Sequence, residues 1–240
     1  MMKLIDHTYA DPAANLACEE ALLRQAEETG GEGILRFWES QTYFVVLGYS
    51  RPAAGDVNLD RCQREAVPVL RRFTGGGTVL QGPGCLNYAL VLRSEPEGPL
   101  ATIAGTNRYV LERNVRALGH LLGERAGIRG QSDLALDDRK FSGNAQRRSV
   151  RWILFHGTIL IDFDIDRIAR FLPLPSKQPA YRNSRPHRDF LFNTGLDRGE
   201  LKKRLRLEWG SRQAGELPRD GELQALVTGR YASPGWTYRF

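Results

Sequence analysis

The sequence predicts an α+β fold: a mixed, largely antiparallel sheet with helices packed against it. Three observations carry this. Short β-branched and aromatic runs come in hairpin-like pairs, as at 34–38 and 43–47, which favours antiparallel neighbours. Interleaved with them are stretches whose apolar residues recur every three or four positions, the mark of helices with one buried face. The chain is also long enough, at 240 residues, and apolar enough, at 41%, to enclose a sizeable core.

Taken in order, Asp11-Pro12 reads as an N-cap followed by proline in the first turn, opening a helix over 13–28 that Gly30-Gly31 closes. Strands are expected at 34–38 and 43–47, paired with each other across Glu39-Ser40-Gln41, and again at 67–73 and 87–92 on either side of a glycine-rich stretch. Val110, Leu111, Val115, Leu118, Leu121 and Leu122 define a helix over 107–122 that covers the sheet. Strands follow at 134–136, 140–145 and 152–163, the first two joined by the turn Asp137-Asp138-Arg139. Helices are predicted near 166–172, 198–209 and 223–231. The proline-rich segment 173–188 reads as an excursion from this one unit rather than a linker between two.

Composition excludes several classes. The first residues mix Lys3, Asp6, His7 and Asp11 into apolar positions, so they form no signal-peptide core, and no apolar run reaches membrane length. Cys18, Cys62 and Cys85 are widely spaced without a C-x-x-C, which disfavours a disulfide framework and a zinc site and suits the cytoplasm. The net charge of +6 is scattered rather than gathered into a stripe, so no nucleic-acid or membrane partner is expected. The four histidines are dispersed and suggest no protein-held metal.

Three motifs could carry chemistry. In Arg71-Arg72-Phe73-Thr74-Gly75-Gly76-Gly77-Thr78-Val79, consecutive glycines let the backbone approach a ligand and offer N–H groups to a carboxylate or phosphate. Arg72 would grip the same anion and Thr74 add a hydroxyl. The segment Asp133-Leu134 through Arg139-Lys140-Phe141-Ser142-Gly143-Asn144-Ala145 places a compact positive charge beside small residues, suited to a phosphate or reacting carboxylate. Only five of the 34 basic residues are lysines, which draws attention to Lys140. His156 in Phe155-His156-Gly157-Thr158 is a strand histidine, a residue type that can act in acid–base chemistry, though such residues are more often structural.

Taken together and in this order, R-R-F-T-G-G-G-T-V, S-D-L…D-R-K-F-S-G-N-A and H-G-T-I-L-I-D resemble the lipoate-protein ligase family of the biotin/lipoate ligase superfamily. The resemblance runs from D-P-A-A-N-L-A-C-E-E near residue 11 to G-W-T-Y-R-F at the end. It implies the class II synthetase-like fold and an enzyme that joins lipoate and ATP into lipoyl-AMP, then transfers the lipoyl group to a lysine of an acceptor lipoyl domain. Lys140 would be the catalytic charge. Arg72, Thr74, Gly75, Gly76, Gly77 and Val79 would hold the carboxylate end and the mixed anhydride, while Asp133, Gly143, Ala145, His156 and Thr158 line the adenylate pocket. Mg²⁺ would arrive with ATP.

The resemblance also locates departures. Gln81 stands where many relatives have histidine after the glycine-rich loop, and no cysteine precedes Asp133, where one octanoyltransferase branch carries its nucleophile. Cys85, more often read as a small buried thiol, would be the nucleophile in the alternative, a cysteine-dependent octanoyl or lipoyl transferase, and a non-catalytic lipoyl-adenylate-binding module is a third reading. Residues 1–240 are expected to be one catalytic domain without the C-terminal accessory domain of many members, so that a separate accessory subunit could be needed.

Overall fold

The structure is a computed structural model and describes residues 2–240. Its strands are β1 (Met2–Asp6), β2 (Gly33–Trp38), β3 (Phe44–Leu47), β4 (Val69–Arg71), β5 (Val79–Gln81), β6 (Cys85–Arg93), β7 (Ala126–Arg129), β8 (Asp133–Leu136), β9 (Arg139–Arg148), β10 (Trp152–Leu160) and β11 (Ser211–Ala214). Its helices are α1 (Pro12–Thr29), α2 (Leu59–Arg64), α3 (Ile103–Leu122), α4 (Ile165–Phe171), α5 (His187–Phe190), α6 (Arg198–Trp209), α7 (Asp220–Leu226) and α8 (Pro234–Thr237). Among the described residues no helix is long and apolar enough to cross a membrane.

Eight strands form one sheet in the order β11-β1-β2-β6-β10-β9-β8-β7, and β4-β3-β5 form a second. In the large sheet β1 runs parallel to both neighbours and every other pair is antiparallel, so the predicted mixed, largely antiparallel α+β sheet is what forms. α1 covers one face, its alanines and leucines packing with Trp38, Ala89, Val91 and Leu154 of the large sheet and Phe44 and Val46 of the small one. α3 and α6 cover the other face against Leu35, Phe37, Leu86, Leu90, Phe155 and Ile159. Each such fully buried side chain contributes roughly 1.5–3 kcal/mol.

The helix ends follow from local chemistry. Asp11 accepts the Ala13 N–H at 2.9 Å, Pro12 occupies the first turn, and Gly30 closes the helix at φ 71°. Thr102 caps α3, and Asp197 and Gly210 bound α6.

Pairing departs from the sequence reading in one place that matters. β2 and β3 are not partners: β2 lies between β1 and β6, and β3 between β4 and β5. The Ser40 hydroxyl donates to the Thr42 carbonyl and accepts the Thr42 N–H, turning the chain out of the large sheet instead of back along it. The glycine-rich stretch is likewise no hairpin tip, because β3 separates the strands on either side of it. The last predicted helix is two pieces, α7 and a π-helical turn over Val227–Tyr231.

Candidate active site

β8 and β9 are joined by a two-residue turn in which Asp137 adopts φ 53°, a conformation aspartate tolerates. A register irregularity at Leu134/Ala135 follows, after which Asp133 pairs with Gly143. Lys140 uses this arrangement. Its Nζ reaches along β9 to Asp133 Oδ1 at 2.7 Å. A Cβ on Gly143 would stand 2.8 Å from that Nζ, so glycine leaves the space the ammonium occupies. Asp133 also accepts the Tyr181 hydroxyl at 2.8 Å, and burial beside this carboxylate raises the Tyr181 phenol well above its ordinary range, keeping it a donor. The segment 173–188 is therefore packed on the site, with Arg185 reaching the Asp138 carbonyl as well.

The glycine-rich loop is braced from behind. The sequence gives Arg72 an external anion to grip; the structure instead aims it at the loop. It donates to Thr74 Oγ1 at 3.0 Å, to the Gly75 carbonyl at 2.6 Å and to the Gly77 carbonyl at 2.8 Å. A buried guanidinium must satisfy its donors internally, and burial pushes this one down to about 10 against the pull of Glu19. Because each peptide is trans and planar, turning the Gly75 and Gly77 carbonyls toward Arg72 turns the N–H groups of Gly76 and Thr78 the opposite way. Gly75, Gly76 and Gly77 are exposed, and Gly75 and Gly77 have open space where a side chain would stand. The loop thus offers amides on its open side. Its position depends on Gly48, where a Cβ would lie 2.1 Å from the Gly76 carbonyl.

The loop lies over the α1 face of β9 and β10. A Cβ at Gly76 would be 3.7 Å from that of Ala145, and Ala145 is the register partner of His156. Gly143 and Ala145 share one face of β9, ~7 Å apart along the strand. Lys140 Nζ, Ala145, His156 and the loop amides therefore converge on one region. His156 Nε2 lies 2.8 Å from Thr74 Oγ1, and its Nδ1 lies 2.6 Å from Glu19 Oε2. Burial alone would raise the Glu19 carboxyl, but His156, with Arg36 and Trp38, holds it below the usual carboxylate range.

The remaining predicted residues are close by with plainer surroundings. Val79 packs on the α1 core, and Thr158 lies two residues beyond His156, opposite Asn87. Gln81 and Asn87 exchange amide hydrogen bonds at 2.8 and 3.0 Å, so Gln81 is occupied with a neighbouring strand. Cys85 is 1% exposed, and burial pushes its thiol up to about 12.

Sequence reasoning missed several contributors. Glu19 gave no signal beyond a charge in an otherwise buried helix, and Tyr181 none at all. Gly157 did give one, in the H-G-T motif. A Cβ there would be 1.8 Å from Asn144 Oδ1, so glycine admits the Asn144 side chain, which bridges Tyr88 and the Ser132 carbonyl on the opposite face.

The architecture is shared with solved lipoate ligases. A bi-partite lipoate protein ligase from Thermoplasma acidophilum matches with a TM-score of 0.83 over 98% of this chain and 95% of its own, at 22% identity. A lipoate-protein ligase A bound with ATP matches at 0.81 over 99% and 97%, at 23% identity. The fold is of that class. The family model of the lipoyl protein ligase A/B catalytic domain matches residues 11–189, and the chain belongs to that family. It is 32% identical over 162 residues to the Mycoplasma pneumoniae protein named "Probable lipoate-protein ligase A", covering 67% of this chain and 46% of the relative. It is 33% identical over 202 residues to the octanoyltransferase LipM of Carboxydothermus hydrogenoformans, covering 75% and 72%. The chain spans about half the length of several of the curated ligases it matches.

Proposed function

We propose that this protein is an ATP-dependent lipoate-protein ligase, its sheets and helices forming a single catalytic domain that works in the cytoplasm. The observation that carries the reading is the convergence of the Lys140 ammonium with the outward amides of the glycine-rich loop. Such a site suits a reaction that gathers negative charge on oxygen twice. In the first half, a lipoate carboxylate oxygen attacks the α-phosphorus of ATP, the bond to the β-phosphate oxygen breaks, and pyrophosphate leaves. In the second, the amine of an acceptor lysine attacks the acyl carbon, the acyl–phosphate bond breaks, and AMP leaves as the amine gives up a proton.

In this reading Lys140 holds the α-phosphate and carboxylate oxygens in both halves. The amides of Gly76 and Thr78 meet the acyl carboxylate, and Arg72 and Thr74 act by shaping that loop. Gly143 and Ala145 keep the floor low enough for the adenylate, with His156 and Thr158 along its edge. Mg²⁺ would neutralise charge on the triphosphate and be held mainly by its oxygens, since among the described residues no group of three His, Cys, Asp or Glu side chains could hold a metal. The acceptor is a lipoyl-domain protein. The Thermoplasma ligase is bi-partite and was studied with its E2 lipoyl domain, which supports a separate accessory subunit here too.

The test is ATP–pyrophosphate exchange with lipoate, octanoate or biotin as the acid. Lipoate-dependent exchange is expected; its absence, with and without an accessory subunit, would remove the ligase reading. A second reading, ATP-independent octanoyl transfer, is favoured by the likeness to LipM. It lacks an accessible thiol, since Cys18, Cys62 and Cys85 are all buried with thiols raised to about 11, 11 and 12.

A further inference from the structure

Glu19 is a carboxylate in the protein interior, 1% exposed in the middle of α1. Its oxygens are claimed by separate partners: Trp38 Nε1–H donates to Oε1 at 2.8 Å, and His156 Nδ1 lies 2.6 Å from Oε2. Arg36 Nη1 stands 3.9 Å away. The far nitrogen of the same imidazole meets Thr74 Oγ1 at 2.8 Å, and that oxygen accepts the Arg72 Nε–H at 3.0 Å. Arg72, Thr74, His156 and Glu19 thus form one continuous chain, drawn from the loop, β10 and α1. Burying a carboxylate costs several kcal/mol unless it is paired, and Ala17 or Ala21 shows that plain packing needs no charge in this helix.

A guanidinium can only donate, and an ionised carboxylate can only accept. Arg72 therefore donates to Thr74 and His156 Nδ1–H donates to Glu19; in the neutral imidazole this leaves Nε2 bare, so that it accepts the Thr74 hydroxyl. We infer that Glu19 is a positioning residue for the glycine-rich loop: it sets which imidazole nitrogen carries the proton, and thereby which way the Thr74 hydroxyl points. Arg72, anchored on that hydroxyl, holds the Gly75 and Gly77 carbonyls inward and the loop amides outward. The effect on turnover rests on the ligase reading; the proton pattern does not.

Two measurements on the full chain separate those levels. Imidazole nitrogen NMR should find neutral His156 protonated at Nδ1, with Glu19→Gln moving the proton toward Nε2. In pyrophosphate exchange, Glu19→Gln should lower kcat by roughly 10–100-fold, the range seen when partners of this outer kind are lost. It should add little in a Thr74→Val background, because the two act through one chain. A wild-type His156 protonated at Nε2, exchange by Glu19→Gln within twofold of wild type, or full additivity with Thr74→Val would each overturn the inference. If Glu19→Gln does not fold, Thr74→Val reads the chain from its other end: the His156 Nε2 resonance must shift, and an unmoved resonance refutes the relay. If the wild type shows no exchange with any acid, the ligase reading falls while the NMR result still decides the role of Glu19.

Discussion

The two faces of the eight-stranded sheet come from alternate residues of the same strands, yet one is mainly apolar and the other carries the candidate site. Toward α3 and α6, β2, β6 and β10 present Leu35, Phe37, Leu86, Leu90, Phe155 and Ile159. Toward α1 and the small sheet the same strands present Arg36, Asn87, Ala89, His156 and Thr158, with β9 adding Gly143 and Ala145. A strand alternates sides with every residue, so a single register delivers a rigid support and a polar, low-walled site together. The candidate site occupies the part of its face where β9 and β10 carry small and polar residues, beside a second apolar cluster under α1 that includes Trp38, Val91 and Leu154.

That contrast can be broken from either side. The largest effect should come from Phe155→Ala, which opens a cavity on the apolar face where Phe155 is 0% exposed; chemical denaturation should show a loss of about 3–5 kcal/mol. Lys140→Ala, on the other face, should lower adenylation ~10²–10³-fold, the usual loss for one donor aimed at developing charge. Its thermal midpoint should stay close to wild type because Lys140 is only partly buried; retention of more than about a tenth of wild-type turnover would end its assignment. Gly143→Ala puts a methyl where the Lys140 ammonium lies. Exchange should drop about tenfold with the fold intact, since the lysine can move but then sits wrongly. Cys85→Ser should have the smallest effect, leaving acyl transfer unchanged at a stability cost of about 1 kcal/mol; abolished transfer from an octanoyl carrier protein would restore cysteine chemistry.

Much of the fold was legible because its signals are local. Asp11 and Gly30 bound α1 through their own hydrogen bond and φ angle, and the predicted 198–209 helix has the bounds of α6. The turn at Asp137 was likewise written in its residues. Strand partnership was not. The runs at 34–38 and 43–47 look like a hairpin by composition, and only the competing edges of β1, β4, β5 and β6 separate them into two sheets. β1 and β11 escaped notice because each is short and pairs in parallel with a distant segment.

The site divides in the same way. By itself the sequence determined the α+β class and the family, and it singled out the glycine-rich loop and Lys140 as candidates, because glycines, caps and a rare lysine act through neighbours a few residues away. Only the tertiary structure decided that Arg72 faces inward, that Gly48 makes room for Gly76, and that Glu19 meets His156 across 137 residues of chain. Those contacts depend on how α1, the small sheet and β10 pack, and a buried polar group has no preferred partner until packing removes the water that would otherwise satisfy it.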